Sequence, residues 1–202
     1  MNKNLIGLTG GIATGKSTVA NYLAKTYNLP ILDADIYARD AVFIGSPVLS
    51  QITEKYGTEI ILSDGNLNRA KLGEIIFNQP EERQWVESVI HPYVRNRFSQ
   101  AINESSAHTL ILVIPLLFEA NLENLVNQIW VVSCSPQQQQ QRLIERNNFT
   151  TEQAVARINS QLSITEKIAR ADVVLDNSAS LESLLQQIDQ IMLRDSILLE
   201  LK

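Results

Sequence analysis

The 202-residue chain has a single cysteine, Cys134, which excludes an internal disulfide framework and a zinc centre built on several thiolates. That thiol lies in the apolar run 130–134 and reads as a small buried hydrophobe. Basic residues are in deficit, 17 Lys and Arg against 22 Asp and Glu, for a formal charge of −5. Proteins that coat nucleic acid or an anionic membrane usually show the opposite balance over at least one face. A polyanion bound here must therefore sit in a local pocket; neither nucleic acid nor membrane is expected as a partner, and no obligate protein partner is evident. Long hydrophobic runs are missing as well. The longest, Leu110–Phe118, contains Pro115 and falls short of the ~18 residues a membrane span requires. Only Leu5 and Ile6 precede the first glycines, too little for a signal-peptide core, so the expected compartment is the cytoplasm. Glycine is scarce too. Of 8 in all, four (Gly7, Gly10, Gly11 and Gly15) fall close together, where the backbone must bend or approach a ligand.

What is present suits a globular domain: 45% hydrophobic and 19% charged residues can bury a real core. Short apolar runs alternate with longer amphipathic stretches. Strands are expected at 5–9, at 30–32 ending in Asp33–Asp35, at 109–117, at 128–133 and at 172–175, with a helix over 16–27. Strands spaced by helices imply a parallel sheet with right-handed crossovers. Residues 46–106 hold no strong buried strand. Trp85, Val86, Val89, Ile90, Val94, Phe98 and Ile102 recur there at helical spacing, with Pro92 expected to break or restart the helix. Residues 135–168 read as a helical hairpin: Ser135–Gln138 and Thr150–Gln153 fit capping boxes, and Asn147–Asn148 is the turn between them. Few large apolar residues occur in that hairpin, so loose packing is expected. From Ser180 a last helix places Leu181, Leu184, Leu185, Ile188 and Met192 on one stripe.

Gly10-Gly11-Ile12-Ala13-Thr14-Gly15-Lys16-Ser17 fits G-x-x-x-x-G-K-S, after an apolar strand and opening a helix. Inward-facing amides of such a loop, with the partial positive charge of the helix start, cradle phosphates. Lys16 reaches the β- and γ-phosphates, and the Ser17 hydroxyl suits Mg²⁺. The chain lacks the Asn-Lys-x-Asp and Asp-x-x-Gly elements of guanine switches. It also lacks the acid that closes the third strand of motor ATPases. A small-molecule kinase needs a carboxylate for the acceptor hydroxyl and arginines for the transferred charge. Asp33 and Asp35 end the second strand, at the edge where open parallel sheets bind ligands. Two-residue spacing on a strand would set both on one side; ordinary helix capping is the competing explanation. Arg142 and Arg146 stand four apart on one helix face, whereas Arg157 fits a solvated face.

Together these residues resemble the dephospho-coenzyme A kinase family, from about residue 5 to 177. The pattern includes Leu-Thr-Gly-Gly-Ile at 8–12, Gly-Lys-Ser-Thr at 15–18, Asp-Ala-Asp at 33–35 and Arg39. It continues through Gly65, Leu67, Asn68-Arg69, Leu72, Phe77, His91-Pro92 and Pro-Leu-Leu-Phe-Glu at 115–119. Gln141-Arg142-Leu143 with Arg146, Arg157-Ile158 with Gln161, Ala171-Asp172 and Asp176-Asn177 complete it. The resemblance implies ATP-dependent phosphorylation of the ribose 3′-hydroxyl of dephospho-coenzyme A, with ATP and Mg²⁺. It implies a three-layer α/β P-loop kinase core with a five-stranded parallel sheet (1–45, 107–134, 169–202), a helical acceptor-binding insert (46–106) and a helical lid (135–168). Carried over by position, Gly11, Ile12, Ala13, Thr14, Gly15, Lys16, Ser17, Thr18 and Asn177 hold nucleotide, with Ser17 toward the metal. Asp33 becomes the base, Lys16, Arg142 and Arg146 serve the transfer, and Asp33, Asp35, Arg39, Arg69 and His91 face the acceptor. For His91, packing at a helix junction competes with acceptor contact. Phe118 and Glu119 are read as structural. Two departures stand out: Ala13-Thr14 replaces the usual Gly-Ser, stiffening the loop, and Val113 stands where many members have aspartate. Kinases of other nucleotides or nucleosides and nucleotide-binding switches are the alternatives.

Overall fold

A computed structural model describes residues 3–200. Its sheet comprises β1 (Asn4–Gly10), β2 (Ile31–Asp33), β3 (Thr109–Val113), β4 (Gln128–Ser133) and β5 (Val173–Asp176), in the order β2-β3-β1-β4-β5. β1 pairs in parallel with β3 and β4, and β4 with β5. The central strands are apolar on both faces because helices cover both sides. α1 (Lys16–Tyr27) and α9 (Leu181–Glu200) contribute Val19, Leu23, Leu184 and Ile188 to a core with Ile6, Leu8, Ile111, Trp130 and Val132. Leu181 does not join it: as the first residue of α9, that side chain is 57% exposed.

The third strand is shorter than its apolar run. Its ladder runs on only as far as the Ile114 amide, which donates to the Leu8 carbonyl at 3.0 Å. Pro115 then has no N–H to offer, and the chain folds into tight turns closed by Ala120 on Leu116 and Leu122 on Leu117. The long apolar run is thus strand followed by a buried turn, with Leu117 and Phe118 still inside.

The chain divides into two compact units, one of residues up to Leu32 with those from Ser106 on, the other of Asp33–Ser105. The second unit is helical: α2 (Ala34–Ala41), α3 (Pro47–Tyr56), α4 (Arg69–Asn78) and α5 (Pro80–Glu104). Val48, Leu49, Ile52, Ile60, Leu67, Leu72 and Val86 form its core. Pro92 does not break the helix. α5 runs unbroken for 25 residues through it. A proline removes a single amide from the ladder, and burial of Val86, Val94 and Phe98 on either side outweighs that loss.

Residues 135–168 fold as α6 (Pro136–Asn147), α7 (Thr151–Asn159) and α8 (Ile164–Ala169), within the first unit. Both expected capping boxes form, at Ser135–Gln138 and Thr150–Gln153, and Asn148 ends α6 in the left-handed conformation. A third box, Ser163 with Glu166, opens α8 and makes the hairpin a three-helix segment.

Candidate active site

The loop between β1 and α1 has the geometry its glycines foretell. Gly10 takes φ +145°, and a Cβ there would stand 2.2 Å from the Val132 carbonyl oxygen of β4. Gly15 takes φ +108° and starts α1 with no side-chain cap, so the helix N-terminus faces the loop. An uncapped helix start leaves backbone N–H groups and partial positive charge available to an anion. The Lys16 ammonium donates to the carbonyls of Gly10 at 3.1 Å and Gly11 at 2.7 Å. Ser17 and Thr18, in the first turn, are exposed. Ala13 sits at φ +61°, a left-handed conformation where glycine is at ease and alanine is strained.

Several side chains hold the loop. Thr14, fully buried, donates its hydroxyl to Gly11 at 2.9 Å. Asn177, just past β5, donates its amide to the Thr14 carbonyl at 2.8 Å. Arg142 of α6 reaches the carbonyls of Asn177 at 3.1 Å and Thr14 at 3.5 Å. Arg146, one turn on, is exposed and hydrogen-bonds Asn147. The two arginines therefore have different partners: one holds the Thr14 and Asn177 carbonyls, the other stands in solvent. Arg157 lies over the Phe149 ring. Cys134 is buried; desolvation pushes its thiol up, partly countered by the charges of Arg142 and Lys16. A thiol held neutral in this way is a packing group.

Three neighbours of the loop have no role that local pattern assigns. Gln139 is buried, its amide 2.6 Å from where a Cβ on Gly11 would be. Gln161 accepts the Ile12 amide at 2.9 Å, and Thr9 donates to the Pro115 carbonyl at 3.2 Å. Nothing next to the two glutamines in sequence marks them as neighbours of the loop, and only the tertiary fold brings them to it.

In the helical unit, Asp33 is the last residue of β2 and the N-cap of α2, its carboxylate accepting the Asp35 amide at 2.8 Å. Asp35 lies in the first helical turn and is exposed, so the two carboxylates do not share a strand face as expected. The chain leaves β2 one residue after Leu32 because the aspartate cap stops the strand and starts the helix. Arg69 donates to the Arg39 carbonyl at 3.3 Å, which brings two of the expected acceptor residues together. His91 lines a cavity of about 400 Å³ with Ser88, Pro92, Arg95 and Asn96. Tyr37 packs edge-on against Phe98, with the Arg97 guanidinium 5.4 Å from the Tyr37 ring.

Among the described residues no group of three or more His, Cys, Asp and Glu could hold a metal ion. Among them, too, no helix is long and apolar enough to cross a membrane.

The family model described as Dephospho-CoA kinase matches residues 4–183. A Dephospho-CoA kinase of Trichormus variabilis is 67% identical over 189 residues, spanning 94% of this chain and 96% of the relative. A solved protein from Thermus thermophilus superposes with a TM-score of 0.82 at 30% identity, over 96% of this chain and 98% of the other. A dephospho-CoA kinase from Campylobacter jejuni gives 0.71 at 27% identity over the same shares. Matched over nearly its whole length, and carrying the intact phosphate loop in a five-stranded parallel sheet, the chain belongs to the dephospho-CoA kinase family.

Proposed function

We propose that the protein transfers the γ-phosphoryl group of ATP to the ribose 3′-hydroxyl of dephospho-coenzyme A, giving coenzyme A and ADP. The observation that carries this reading is the strand–loop–helix at Gly10–Ser17 in a chain of this family. The acceptor oxygen attacks phosphorus, the bond from the γ-phosphorus to the β,γ-bridging oxygen breaks, and the hydroxyl proton passes to Asp33. That carboxylate commits one oxygen to capping α2, and a carboxylate can accept several further hydrogen bonds. Lys16 moves from the loop carbonyls to the phosphates, and Arg146 meets the charge that spreads over the γ-oxygens as they separate. Arg142 and Asn177 keep the loop in shape for the nucleotide.

Ser17 offers a hard oxygen at the helix start, the kind of donor Mg²⁺ takes alongside phosphate oxygens. When bound, the ion neutralises charge on the β- and γ-phosphates. Residues 46–106, with Arg39, Arg69 and His91, take the acceptor. Residues 135–168 act as the lid of the nucleotide-binding core, and the enzyme works in the cytoplasm.

A coupled ADP-release assay tests the reading. Turnover with dephospho-coenzyme A should exceed that with AMP, adenosine or pantetheine derivatives at least tenfold. Equal or faster turnover of AMP would reassign the chain to the monophosphate kinases. ATP binding without turnover of any acceptor would mark a switch.

A further inference from the structure

Lys167 of α8 is fully buried, and its ammonium donates to a Glu119 carboxylate oxygen at 2.8 Å and to the Pro115 carbonyl at 3.3 Å. A buried ammonium is costly even when paired, and an apolar side chain of the same length would fill the space with less penalty. What distinguishes this pair is where its hydrogen bonds lead. The Pro115 carbonyl also accepts the hydroxyl of Thr9, the residue before Gly10. The carboxylate oxygen that meets Lys167 also accepts the Leu162 amide at 2.9 Å. Next to Leu162, the carboxamide oxygen of Gln161 accepts the Ile12 amide, inside the phosphate loop, at 2.9 Å. The entry of the loop and its third residue are thus both tied, within two hydrogen bonds and one peptide link, to one buried ion pair. Burial pushes the Glu119 carboxyl up. The hydrogen bonds from Lys167 and from the Glu119 and Leu162 amides, with the Lys167 charge, outweigh that and leave it below the usual range.

A phosphate loop binds well when its peptide planes are set before the ligand arrives, because ordering them afterwards costs affinity. The Gln161 bond fixes the peptide plane between Gly11 and Ile12. We propose that Gln161 is a positioning residue for the phosphate loop, and that the Glu119–Lys167 pair acts on nucleotide binding through it. The proposal rests on the reading of residues 10–17 as a triphosphate site, and it gives Glu119 a task beyond packing.

The test is ATP binding to the full chain by calorimetry, with Mg²⁺ and without acceptor. Gln161→Ala should weaken Kd about three- to tenfold, the worth of one hydrogen bond. KM for ATP should rise in step, while kcat and the acceptor KM change less than twofold and the melting temperature holds. Glu119→Gln should weaken Kd in the same direction. The double variant should be no weaker than the weaker-binding single, since both act at one contact. Where Glu119→Gln folds poorly, Glu119→Gln/Lys167→Met, which removes both charges, takes its place in the cycle. Unchanged or tighter ATP binding by Gln161→Ala overturns the role of Gln161, and full additivity overturns the link to the pair. An error in the acceptor assignment would show separately, as normal ATP binding by the unaltered protein without turnover of dephospho-coenzyme A.

Discussion

The side-chain amide of Asn177 stands where a Cβ on Gly15 would have to be, 2.3 Å from it, and the same nitrogen donates to the Thr14 carbonyl at 2.8 Å. One side chain beyond β5 therefore gauges both the backbone conformation and the side-chain size that the loop can have at residues 14 and 15. Gly15→Ala should meet both the steric conflict and the strain of φ +108°, and should lower ATP affinity by at least tenfold. Asn177→Ala should weaken it about five- to tenfold by releasing the Thr14 carbonyl. Equilibrium binding of ATP decides, and unchanged affinity in Asn177→Ala would remove the gauge.

Asp33→Asn should lower kcat by about 10²–10⁴-fold, the range for a positioned base. Asparagine also caps helices, so α2 and the melting temperature should hardly change. ATP affinity should persist. A normal rate would leave Asp33 as a cap alone and pass the proton to Asp35, which Asp35→Asn would then reveal.

Arg142 and Arg146 should separate kinetically. Arg142→Ala removes a brace from the Thr14 and Asn177 carbonyls and should raise KM for ATP. Arg146→Ala should leave ATP binding near normal and lower kcat at least tenfold, since its charge is needed as the phosphoryl group separates. Identical effects in both variants would contradict this division.

Ala13→Gly should not destabilise the protein and should raise its urea midpoint. Left-handed backbone costs alanine roughly 1–2 kcal/mol, while the extra freedom of glycine in the unfolded chain costs about 0.4–1 kcal/mol. A fall in the midpoint would mean that the alanine methyl makes contacts worth more than the strain.

Stability should fall at high pH through a tyrosine pair. Tyr22 and Tyr27 both donate to one oxygen of Asp189, at 2.8 and 2.7 Å. Burial, then the hydrogen bond to Asp189 and its charge, push the Tyr27 phenol from 10 to about 12. The folded state therefore holds that proton more tightly than the unfolded chain. The resulting stability is whole below pH 10 and is lost as pH rises from 10 through about 12. Urea midpoints across that window should drop more steeply in the unaltered protein than in Asp189→Ala.

Much of the fold and site is legible in local pattern. The phosphate loop and the capping boxes at Ser135 and Thr150 are short-range devices whose residues lie within a few positions of what they bind. The order of the sheet and the end of β3 are less so, because a proline inside an apolar run shows where a ladder ends only once its partner strand is known. Asp33 and Asp35 suit one strand by spacing alone, since nothing local says on which of two residues a strand yields to a helix. Lys167 and Gln161 are not legible as neighbours of the loop. Each is a polar residue of the kind usually found at the surface, and only the fold buries one and brings the other against Ile12.

The strand order has a consequence for the protein as it is being made. β1 leaves the ribosome well before its earliest partner, β3, with which it pairs from Asn4 to Thr109, about a hundred residues later. β2 must wait for β3 as well, since the two are neighbours in the sheet. Until then the apolar β1 and the glycine-rich loop behind it have no sheet to join, while the helices between Asp33 and Ser105 pack on sequence already synthesised. Closing so long a loop is slow and leaves an unpaired strand edge exposed. The nascent chain thus passes through an interval in which its nucleotide-binding sequence is complete but its nucleotide-binding site does not exist.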